Sequence, residues 1–451
     1  MGKLFFAAAL LPEGWRANVR VTVADGVIAA VEPNAPADGA APFAGAAVPG
    51  LPNLHSHAFQ RGMAGLTERR GAGGHSFWTW REVMYRFLDR LTPEDIEAIA
   101  ALAYVEMLES GFAAVGEFHY LHHAPDGRPY ANPAETAERI AAAASDVGIG
   151  LTLLPVLYRH GNFGGVPPSP GQRRFLNDRD GFERLVEGSA KAVAALPGAR
   201  LGVAPHSLRA VGLDDLRWLE GRWPDGPMHI HVSEQNKEVE DCLAVHGRRP
   251  IELLADTVSL GPRWCLIHAT HADPSEVDRI ADSGAVAGLC PVTEANLGDG
   301  VFDAARFLER GGRFGVGSDS LVRVSAADEL RSLEYAQRLR HRSRNALGSS
   351  DRSTGRRLFD AALAGGDQAL GRPGGLAPGC RADIVVLDRD HPSLAAAEGD
   401  ALLDAWIFSA DNAAVRDVIG GGVHLVADGR HRARERVVAR YRDTIRRLEA
   451  I

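Results

Sequence analysis

Eight short apolar segments, separated by longer amphipathic ones, run through the middle of this 451-residue chain and limit what it can fold into. The apolar segments lie at residues 46–54, 112–118, 149–157, 199–204, 228–232, 264–268, 285–290 and 313–317. Helical spacing marks most of the stretches between them, at residues 93–110, 133–147, 182–196, 237–254, 274–283 and 301–310. Eight strands that alternate with helices predict a parallel (β/α)8 barrel, a TIM barrel. An open doubly wound sheet is the alternative, but no glycine-rich phosphate loop follows the first strand.

The two ends of the chain have a different, strand-rich pattern. Short segments with strand patterns flank an Asp25-Gly26 turn. Residues 382–388 and 415–429 show the same pattern of short strands near the carboxyl terminus. Residues 433–451 have helical spacing and predict a closing helix. We therefore expect one small β domain formed from residues 1–47 and 373–451, with the barrel at residues 48–372.

The composition argues against several classes of protein. The formal net charge is −8 and no lysine-rich run is present, so nucleic acid is not an expected partner. No apolar run approaches about 18 residues without a charge, so no membrane span is expected. Residues 1–11 resemble a short signal peptide, but no clear cleavage site follows, and we expect a strand there. The four cysteines form no C-x-x-C motif and indicate reduced thiols in a cytoplasmic protein.

Two histidines close the first apolar segment, in the sequence Leu54-His55-Ser56-His57. Side chains on a strand alternate between its faces, so both imidazoles lie on the same face. Two neighbouring imidazoles form half of a divalent-metal site, whereas the alternative is a pair of surface histidines in a loop. The later strands favour the metal site, because they end in further residues of the types that bind metals.

These further polar residues are His231 and Glu234 after the fifth strand, His268 after the sixth and Asp319 after the eighth. The carboxyl ends of barrel strands meet on one face, which is where barrels assemble their active sites. Three imidazoles and one carboxylate suit a single zinc or similar ion with room for water. The sequence therefore predicts one divalent ion, Zn²⁺ before others, held by His55, His57, His231 and Asp319.

A hydrolytic metal site also needs groups that transfer protons. A divalent ion lowers the pKa of a bound water toward about 7, and the proton it releases must reach the departing nitrogen. Glu234 and His268, together with Asp319, have the residue types and positions for these roles. Taken singly, Glu234 also fits an ion pair and His268 a hydrogen-bonded core residue. His229 is an alternative ligand, and we favour His231 because Glu234 follows it in the next turn.

Four motifs carry these residues: H-S-H at 55–57, H-V-S-E-Q at 231–235, I-H-A-T-H at 267–271 and G-S-D-S at 317–320. Together they resemble the amidohydrolase superfamily, in particular its deaminase-type branch with one metal ion. The resemblance covers essentially the whole chain, including the strand-rich ends. Residues 201–206 lack the lysine that is carbamylated in the two-metal branch, which supports a single ion.

Finer likeness lies in the segments Leu54–Arg61, Phe77–Arg81, Gly116–Tyr120, Ala204–Ala210 and Cys290–Gly298. These segments resemble the iminohydrolases that act on N-formimino-L-glutamate, also called formimidoylglutamate deiminases. The resemblance implies hydrolysis of N-formimino-L-glutamate to N-formyl-L-glutamate and ammonia, in histidine degradation. Members of this family are often homodimers, so the resemblance also suggests a homodimer.

A substrate with two carboxylates needs two anion-binding groups besides the metal. Arginine suits this task because its planar fork pairs bidentately with a carboxylate. We assign it to Arg81 and Arg209, assisted by Gln60, Tyr120 and His206. Arg81 is alternatively a surface cation–π partner and Tyr120 a hydrogen-bonding residue of the barrel rim. The substitutes for either arginine are Arg61, Arg159 and Arg323.

Two other functions compete with this interpretation. The first is a guanine deaminase, or another nucleobase or aminotriazine hydrolase of the same branch, but paired arginines at the pocket disfavour a neutral ring. The second is a non-catalytic binding or assembly protein on the same barrel. Such proteins typically lack the metal ligands, all four of which are present here.

Overall fold

The computed structural model describes residues 2–68 and 77–449. Its strands are β1 (Gly2–Leu11), β2 (Gly14–Ala24), β3 (Val27–Glu32), β4 (Ala41–Pro49), β5 (Leu51–Ser56), β6 (Phe112–His119), β7 (Gly150–Leu157), β8 (Arg200–Leu201), β9 (Ala204–Pro205), β10 (Met228–Val232), β11 (Trp264–His268), β12 (Val286–Leu289), β13 (Arg313–Val316), β14 (Ile384–Leu387), β15 (Val415–Gly420), β16 (Val423–Ala427) and β17 (Arg430–His431).

The α-helices are α1 (Phe77–Leu88), α2 (Pro93–Glu109), α3 (Glu135–Val147), α4 (Arg179–Ala194), α5 (Leu213–Arg222), α6 (Asn236–His246), α7 (Pro250–Thr257), α8 (Pro274–Ser283), α9 (Pro291–Leu297), α10 (Ala304–Glu309), α11 (Ala326–His341), α12 (Thr354–Ala369), α13 (Asp400–Ser409) and α14 (Arg434–Glu449). Within the described residues, no helix has the length and apolar character needed to cross a membrane.

One sheet is built from parallel strands in the order β10-β11-β12-β13-β5-β6-β7-β8, and β9 pairs with β7. Isolated parallel bridges join Val203 to Met228 and Ser207 to His231, at the two ends of that order. Helices lie between successive strands, so the sheet is covered by helices and the fold is α/β. Every residue of β5, β6 and β7 is buried, as expected for parallel strands.

A second sheet joins strands from both ends of the chain, in the order β17-β16-β15-β14-β4-β1-β2-β3. Its neighbours are antiparallel except for β1 and β4. The predicted Asp25-Gly26 turn connects β2 and β3, and both residues have the positive φ that such a turn requires. Phe6, Val21 and Ile384 pack in a cluster of their own on this sheet.

The predicted strand at residues 46–54 is wrong, because the structure has two strands there in two different sheets. β4 ends at Pro49, and β5 begins at Leu51. Gly50 stands between them, and a Cβ at this position would lie only 2.4 Å from the Cβ of Ala113. The chain therefore passes from one sheet to the other at a point too narrow for a side chain.

The predicted helix at residues 237–254 is also wrong in its extent. It is two helices, α6 and α7, because Gly247 adopts φ 65° at the end of α6 and Pro250 starts α7. The strand expected at 199–204 is interrupted and forms β8 and β9. The closing helix is confirmed as Arg434–Glu449, and residues 450 and 451 of the expected segment lie outside the described residues.

Candidate metal and active site

Three imidazoles meet at the carboxyl end of the parallel sheet. His55 is the fifth residue of β5, His57 follows that strand directly, and His231 lies in β10. The possible ligand atoms of the three residues all lie within 4.8 Å of one another, and the Nε2 atoms of His55 and His231 are 3.1 Å apart. All three side chains are buried.

Asp319 adds a carboxylate to these imidazoles. Its Oδ1 lies 3.3 Å from His57 Nε2 and 3.6 Å from His55 Nε2. The backbone fixes this position, because the Asp319 N–H donates to the His55 carbonyl and the His57 N–H donates to the Asp319 carbonyl. Hydrogen bonds thus join the segment after β13 to β5, and the fourth predicted ligand lies beside His55 and His57.

The protonation of these histidines fits a bound cation. The Nδ1 atoms of His57 and His231 lie 3.0 and 3.1 Å from the carbonyl oxygens of Phe118 and His206. A carbonyl oxygen only accepts, so each Nδ1 carries the proton and each Nε2 lone pair faces the centre. Burial lowers the pKa of His57 to about 3 and holds the pKa of His55 and His231 well below the usual range. Neutral imidazole is the form that binds metals, so the four residues fit a divalent ion.

His268 and Glu234 lie on the open side of this cluster. His268 Nε2 is 3.8 Å from Glu234 Oε1 and 3.7 Å from Asp319 Oδ2, and its Nδ1 is 3.2 Å from Glu294 Oε1. Burial alone lowers the pKa of His268, but the carboxylates of Glu234, Glu294 and Asp319 outweigh it and raise this pKa to about 10. His268 is therefore surrounded by groups that can exchange a proton with it.

Strained backbone is concentrated at these strand ends. Ser233, His268, Ala269 and Asp319 have φ between 43° and 68°, in the left-handed region that residues with a side chain rarely adopt. Such conformations cost on the order of 1–3 kcal/mol each and persist where the surrounding structure enforces them. All four residues are candidate site residues or next to one, which supports a functional role for this end of the sheet.

A pocket opens above the cluster, and every predicted substrate-binding residue lines it. These residues are Gln60, Arg81, Tyr120, His206 and Arg209. The Gln60 amide donates to the Tyr120 hydroxyl at 2.9 Å, and the Tyr120 hydroxyl donates to Met84 Sδ at 3.4 Å. His206 Nδ1 lies 3.1 Å from Ser207 Oγ.

The two predicted arginines lie in different surroundings within the pocket. Arg209 is 6% exposed, and its Nη2 lies 3.9 Å from Glu234 Oε2 and its Nε 3.8 Å from Glu238 Oε2. Among the described residues, this Nε has no hydrogen-bond partner. Arg81 lies in α1, with its guanidinium 4.5 Å from the ring centroid of Trp78 and 5.7 Å from that of Tyr85. Arg81 therefore makes cation–π contacts and also lines the pocket, so the two interpretations of this residue are compatible.

The alternative residues lie elsewhere. Arg61 pairs with Glu106, Arg159 with Asp215 and Arg323 with Asp328. These three arginines do not line the pocket. His229 points away from the imidazole cluster, since its Nε2 lies 2.7 Å from the Ala369 carbonyl, and this agrees with the preference for His231.

Several pocket residues were assigned no role in the site by the sequence prediction. They are Phe77, Trp80, Met84, Tyr85, Tyr158, Phe175 and Leu297. Phe77, Trp80 and Leu297 lie in segments that carry the family resemblance, and Tyr158 directly follows a strand, as Tyr120 does. Glu238 and Glu294 lie behind the pocket, where their carboxylates accept from backbone N–H groups of residues 233, 234 and 290.

Comparisons with known proteins agree with this geometry. Residues 46–425 match the amidohydrolase family, and residues 1–41 match the N-terminal domain of formimidoylglutamate deiminase HutF. A formimidoylglutamate deiminase from Pseudomonas aeruginosa is 57% identical over 440 residues, 97% of each chain. An 8-oxoguanine deaminase from the same organism is 27% identical and covers 84% of this chain and 82% of its own.

Solved structures repeat the fold. The crystal structure of an amidohydrolase from Brucella melitensis superposes with a TM-score of 0.96 at 53% identity, over 99% of this chain and 100% of the other. An adenosine deaminase from Xanthomonas campestris with bound zinc gives a TM-score of 0.81 at 21% identity, over 100% and 98% of the two chains. At that identity the likeness supports the fold alone.

Proposed function

The chain belongs to the amidohydrolase family, and from this premise we propose that it hydrolyses N-formimino-L-glutamate to N-formyl-L-glutamate and ammonia, a C–N bond hydrolysis in histidine degradation. The observation that carries the proposal is a single pocket with a metal-binding cluster at one end and Arg81 and Arg209 in its walls. A substrate with an amidine-like head and two carboxylates matches both features. The 57% identity to a formimidoylglutamate deiminase supports the same substrate.

The metal ligands in this proposal are His55, His57, His231 and Asp319, and the ion is Zn²⁺. Nitrogen-rich ligand sets with one carboxylate are typical of mononuclear zinc sites that leave a position open for water. When bound, such an ion supplies an activated water and withdraws electrons from the carbon that the water attacks. The remaining steps fall to the side chains around the pocket.

The reaction adds water to the formimino carbon and expels the terminal nitrogen as ammonia. Both protons of the water must leave its oxygen, which becomes the formyl oxygen, and two protons must reach the imino nitrogen before it departs as ammonia. Glu234 holds and protonates the imino nitrogen, while His268 and Asp319 handle the attacking water and its proton. His268, which its carboxylate neighbours keep protonated, donates a hydrogen bond to the water, and Asp319 receives the proton. The distances of 3.7–3.8 Å from His268 Nε2 to the two carboxylates support a shared proton path.

Arg81 and Arg209 bind the two carboxylates and thereby direct the formimino head toward the metal ligands. Among the described residues the buried Nε of Arg209 makes no hydrogen bond, which supports this role, because a guanidinium donates to the two oxygens of a carboxylate through two of its N–H groups. Gln60, Tyr120 and His206 complete the wall. The substrate is then a small dianion, with no role for nucleic acid or membrane.

We further propose two structural units. The bridges at Val203 and Ser207 support a parallel sheet closed into a (β/α)8 barrel at residues 48–372. The second sheet, with strands from both ends of the chain, supports a small β domain at 1–47 and 373–451, of which residues 1, 450 and 451 lie outside the described residues. Four buried free cysteines support a cytoplasmic location. The homodimer stays a prediction from the family resemblance.

The test is ammonia release by the purified, metal-containing protein from N-formimino-L-glutamate and from guanine, side by side. We expect turnover of the first and little or none of the second. If guanine is the better substrate, or if N-formimino-L-glutamate yields no ammonia, the proposed function is wrong.

A further inference from the structure

The proposed function leaves the hydroxyl of Tyr158 without a role, although Tyr158 lines the pocket. This residue directly follows β7 and is 4% exposed. Its ring packs against the His206 ring with 4.6 Å between centroids and 63° between planes. Tyr158 is therefore held in place on a wall that already contains one predicted substrate-binding residue.

A glutamine behind the wall fixes the direction of the Tyr158 proton. The Ser169 backbone N–H donates to Gln172 Oε1 at 2.7 Å, which identifies the oxygen end of the side-chain amide. The other end, Nε2, donates to the Tyr158 hydroxyl oxygen at 2.7 Å. Gln172 is buried, so no bulk water offers it another arrangement. The hydroxyl oxygen accepts from Gln172, and Tyr158 must donate its own proton in another direction.

Among the described residues, that proton has no acceptor. Over residues 2–68 and 77–449, the Tyr158 hydroxyl makes one hydrogen bond, in which it accepts from Gln172. No acceptor for the hydroxyl proton lies within hydrogen-bond distance in these residues. A buried donor left without an acceptor is unfavourable, and proteins keep such groups where a ligand satisfies them. The direction open to the Tyr158 hydroxyl is the pocket itself.

The charge around Tyr158 defines what that ligand must be. Arg209 and Arg81 line the same pocket, and their positive charges act on the Tyr158 hydroxyl. Burial raises the pKa of Tyr158, so the hydroxyl keeps its proton near neutral pH. A ligand group that meets two guanidinium groups and one O–H donor must be an acceptor with negative charge, and a carboxylate is the group of this kind in the proposed substrate.

We propose that Tyr158 is a specificity-determining residue that donates a hydrogen bond to one carboxylate of the substrate, and that Gln172 is the positioning residue that orients its hydroxyl. This inference rests on the proposed function, because it takes the dianionic substrate from there. The inference adds a neutral hydrogen-bond donor to the two arginines, and it predicts that the Tyr158 hydroxyl binds only one of the two carboxylates.

The first test compares Tyr158→Phe with the wild type in ammonia release from N-formimino-L-glutamate. A lost hydrogen bond to a charged group should raise KM about 10- to 100-fold. The kcat should stay within about threefold, because the carboxylate keeps its charge throughout the reaction. The formimino derivatives of 4-aminobutanoate and 2-aminobutanoate each lack one carboxylate. The effect of Tyr158→Phe should vanish with one of them and persist with the other.

Gln172→Glu tests the orientation argument without touching Tyr158. One glutamate oxygen still accepts from Ser169, while the other accepts the Tyr158 proton and withdraws it from the pocket. This variant should raise KM by a factor similar to that of Tyr158→Phe. In the Tyr158→Phe background the same change should raise KM by less than about threefold, because the hydroxyl is already absent. Tyr335→Phe, a matched change on α11 outside the pocket, should leave both constants at wild-type values.

The outcomes separate the two proposals. If the wild type releases no ammonia from N-formimino-L-glutamate, the proposed function and this inference both fall. If the wild type is active and Tyr158→Phe has the wild-type KM, the inference alone is wrong. The inference alone is also wrong if Tyr158→Phe raises KM by the same factor with both analogues. Equal effects of Gln172→Glu with and without the Tyr158 hydroxyl would also overturn it, since the added charge would then be the cause.

Discussion

The two ends of the pocket are built in different ways. At the metal end, His55, His57, His231 and Asp319 lie at or next to the ends of parallel strands and are fixed by backbone hydrogen bonds. At the other end, the walls come from α1 and from the segment after β7, which hold Arg81, Tyr85, Tyr158 and Gln172. The metal end is therefore set by sheet register and the carboxylate end by side-chain packing.

The difference in construction implies a difference in function. Groups at strand ends move little, which suits a centre where bonds break and charge develops. Groups on helices and loops adapt to a ligand, and they supply binding energy that is equal in the ground state and in the transition state. We therefore assign chemistry to the metal end and recognition to the carboxylate end.

The largest effect should come from removal of the metal ion. With a chelator, ammonia release should fall to the background of the assay, and one equivalent of Zn²⁺ per chain should restore it. Elemental analysis of the active protein should give one ion per chain. Two ions per chain, or full activity in metal-free protein, would contradict the single-ion site.

The next largest effect should come from the proton-transfer residues. Glu234→Gln and His268→Asn should each lower kcat by about 10²- to 10⁴-fold, because proton transfer occurs in the transition state. Metal content, measured on the same samples, should stay at the wild-type value. Near-normal turnover in a variant that retains its metal would refute the assignment of that residue.

Smaller losses should follow from the arginines. Arg81→Met and Arg209→Met should each reduce kcat/KM on the order of 10- to 200-fold, since a charge-assisted hydrogen bond contributes about 1.5–3 kcal/mol. Much of each loss should disappear with the analogue that lacks the matching carboxylate. If both variants have the wild-type kcat/KM with N-formimino-L-glutamate, the two arginines do not bind the substrate carboxylates.

The smallest effect should come from Arg159, which the sequence left as a substitute for either arginine. Arg159 pairs with Asp215 at 2.8 Å outside the pocket, and its side chain is about one third exposed. Arg159→Met should leave kcat and KM within about twofold and lower stability by no more than about 1 kcal/mol, as is typical of such ion pairs. Steady-state kinetics and thermal unfolding check both values, and a large rise in KM would return Arg159 to the list of substrate-binding residues.

The same contrast decides how much of the molecule was predictable from its sequence. The metal end was predictable because period-two spacing in Leu54-His55-Ser56-His57 and strand-end positions of His231 and Asp319 depend on local rules. The strands β10 and β11 and the helix α8 match their predicted bounds. At Gly50 the prediction failed because of a tertiary contact, since Ala113 across the sheet leaves no room for a side chain. At residues 237–254 it missed the local helix break at Gly247 and Pro250.

The carboxylate end was predictable only in part. Arg81 and Arg209 were selected by chemistry and resemblance, but nothing local distinguishes them from Arg61, Arg159 and Arg323. What excludes the latter three is pairing with carboxylates outside the pocket. The partner is distant in sequence for Arg61 and Arg159, whereas Arg323 pairs with nearby Asp328. The orientation of Tyr158 depends on Gln172, a partner that lies in a turn with no regular spacing relative to β7.

The division between the two ends is tested most directly by the steady-state constants of His268→Asn and Arg209→Met, measured together with N-formimino-L-glutamate. We expect that His268→Asn lowers kcat with KM near the wild-type value, and that Arg209→Met raises KM with kcat near the wild-type value. If instead Arg209→Met lowers kcat as strongly as His268→Asn does while KM stays unchanged, the two ends do not divide chemistry from recognition.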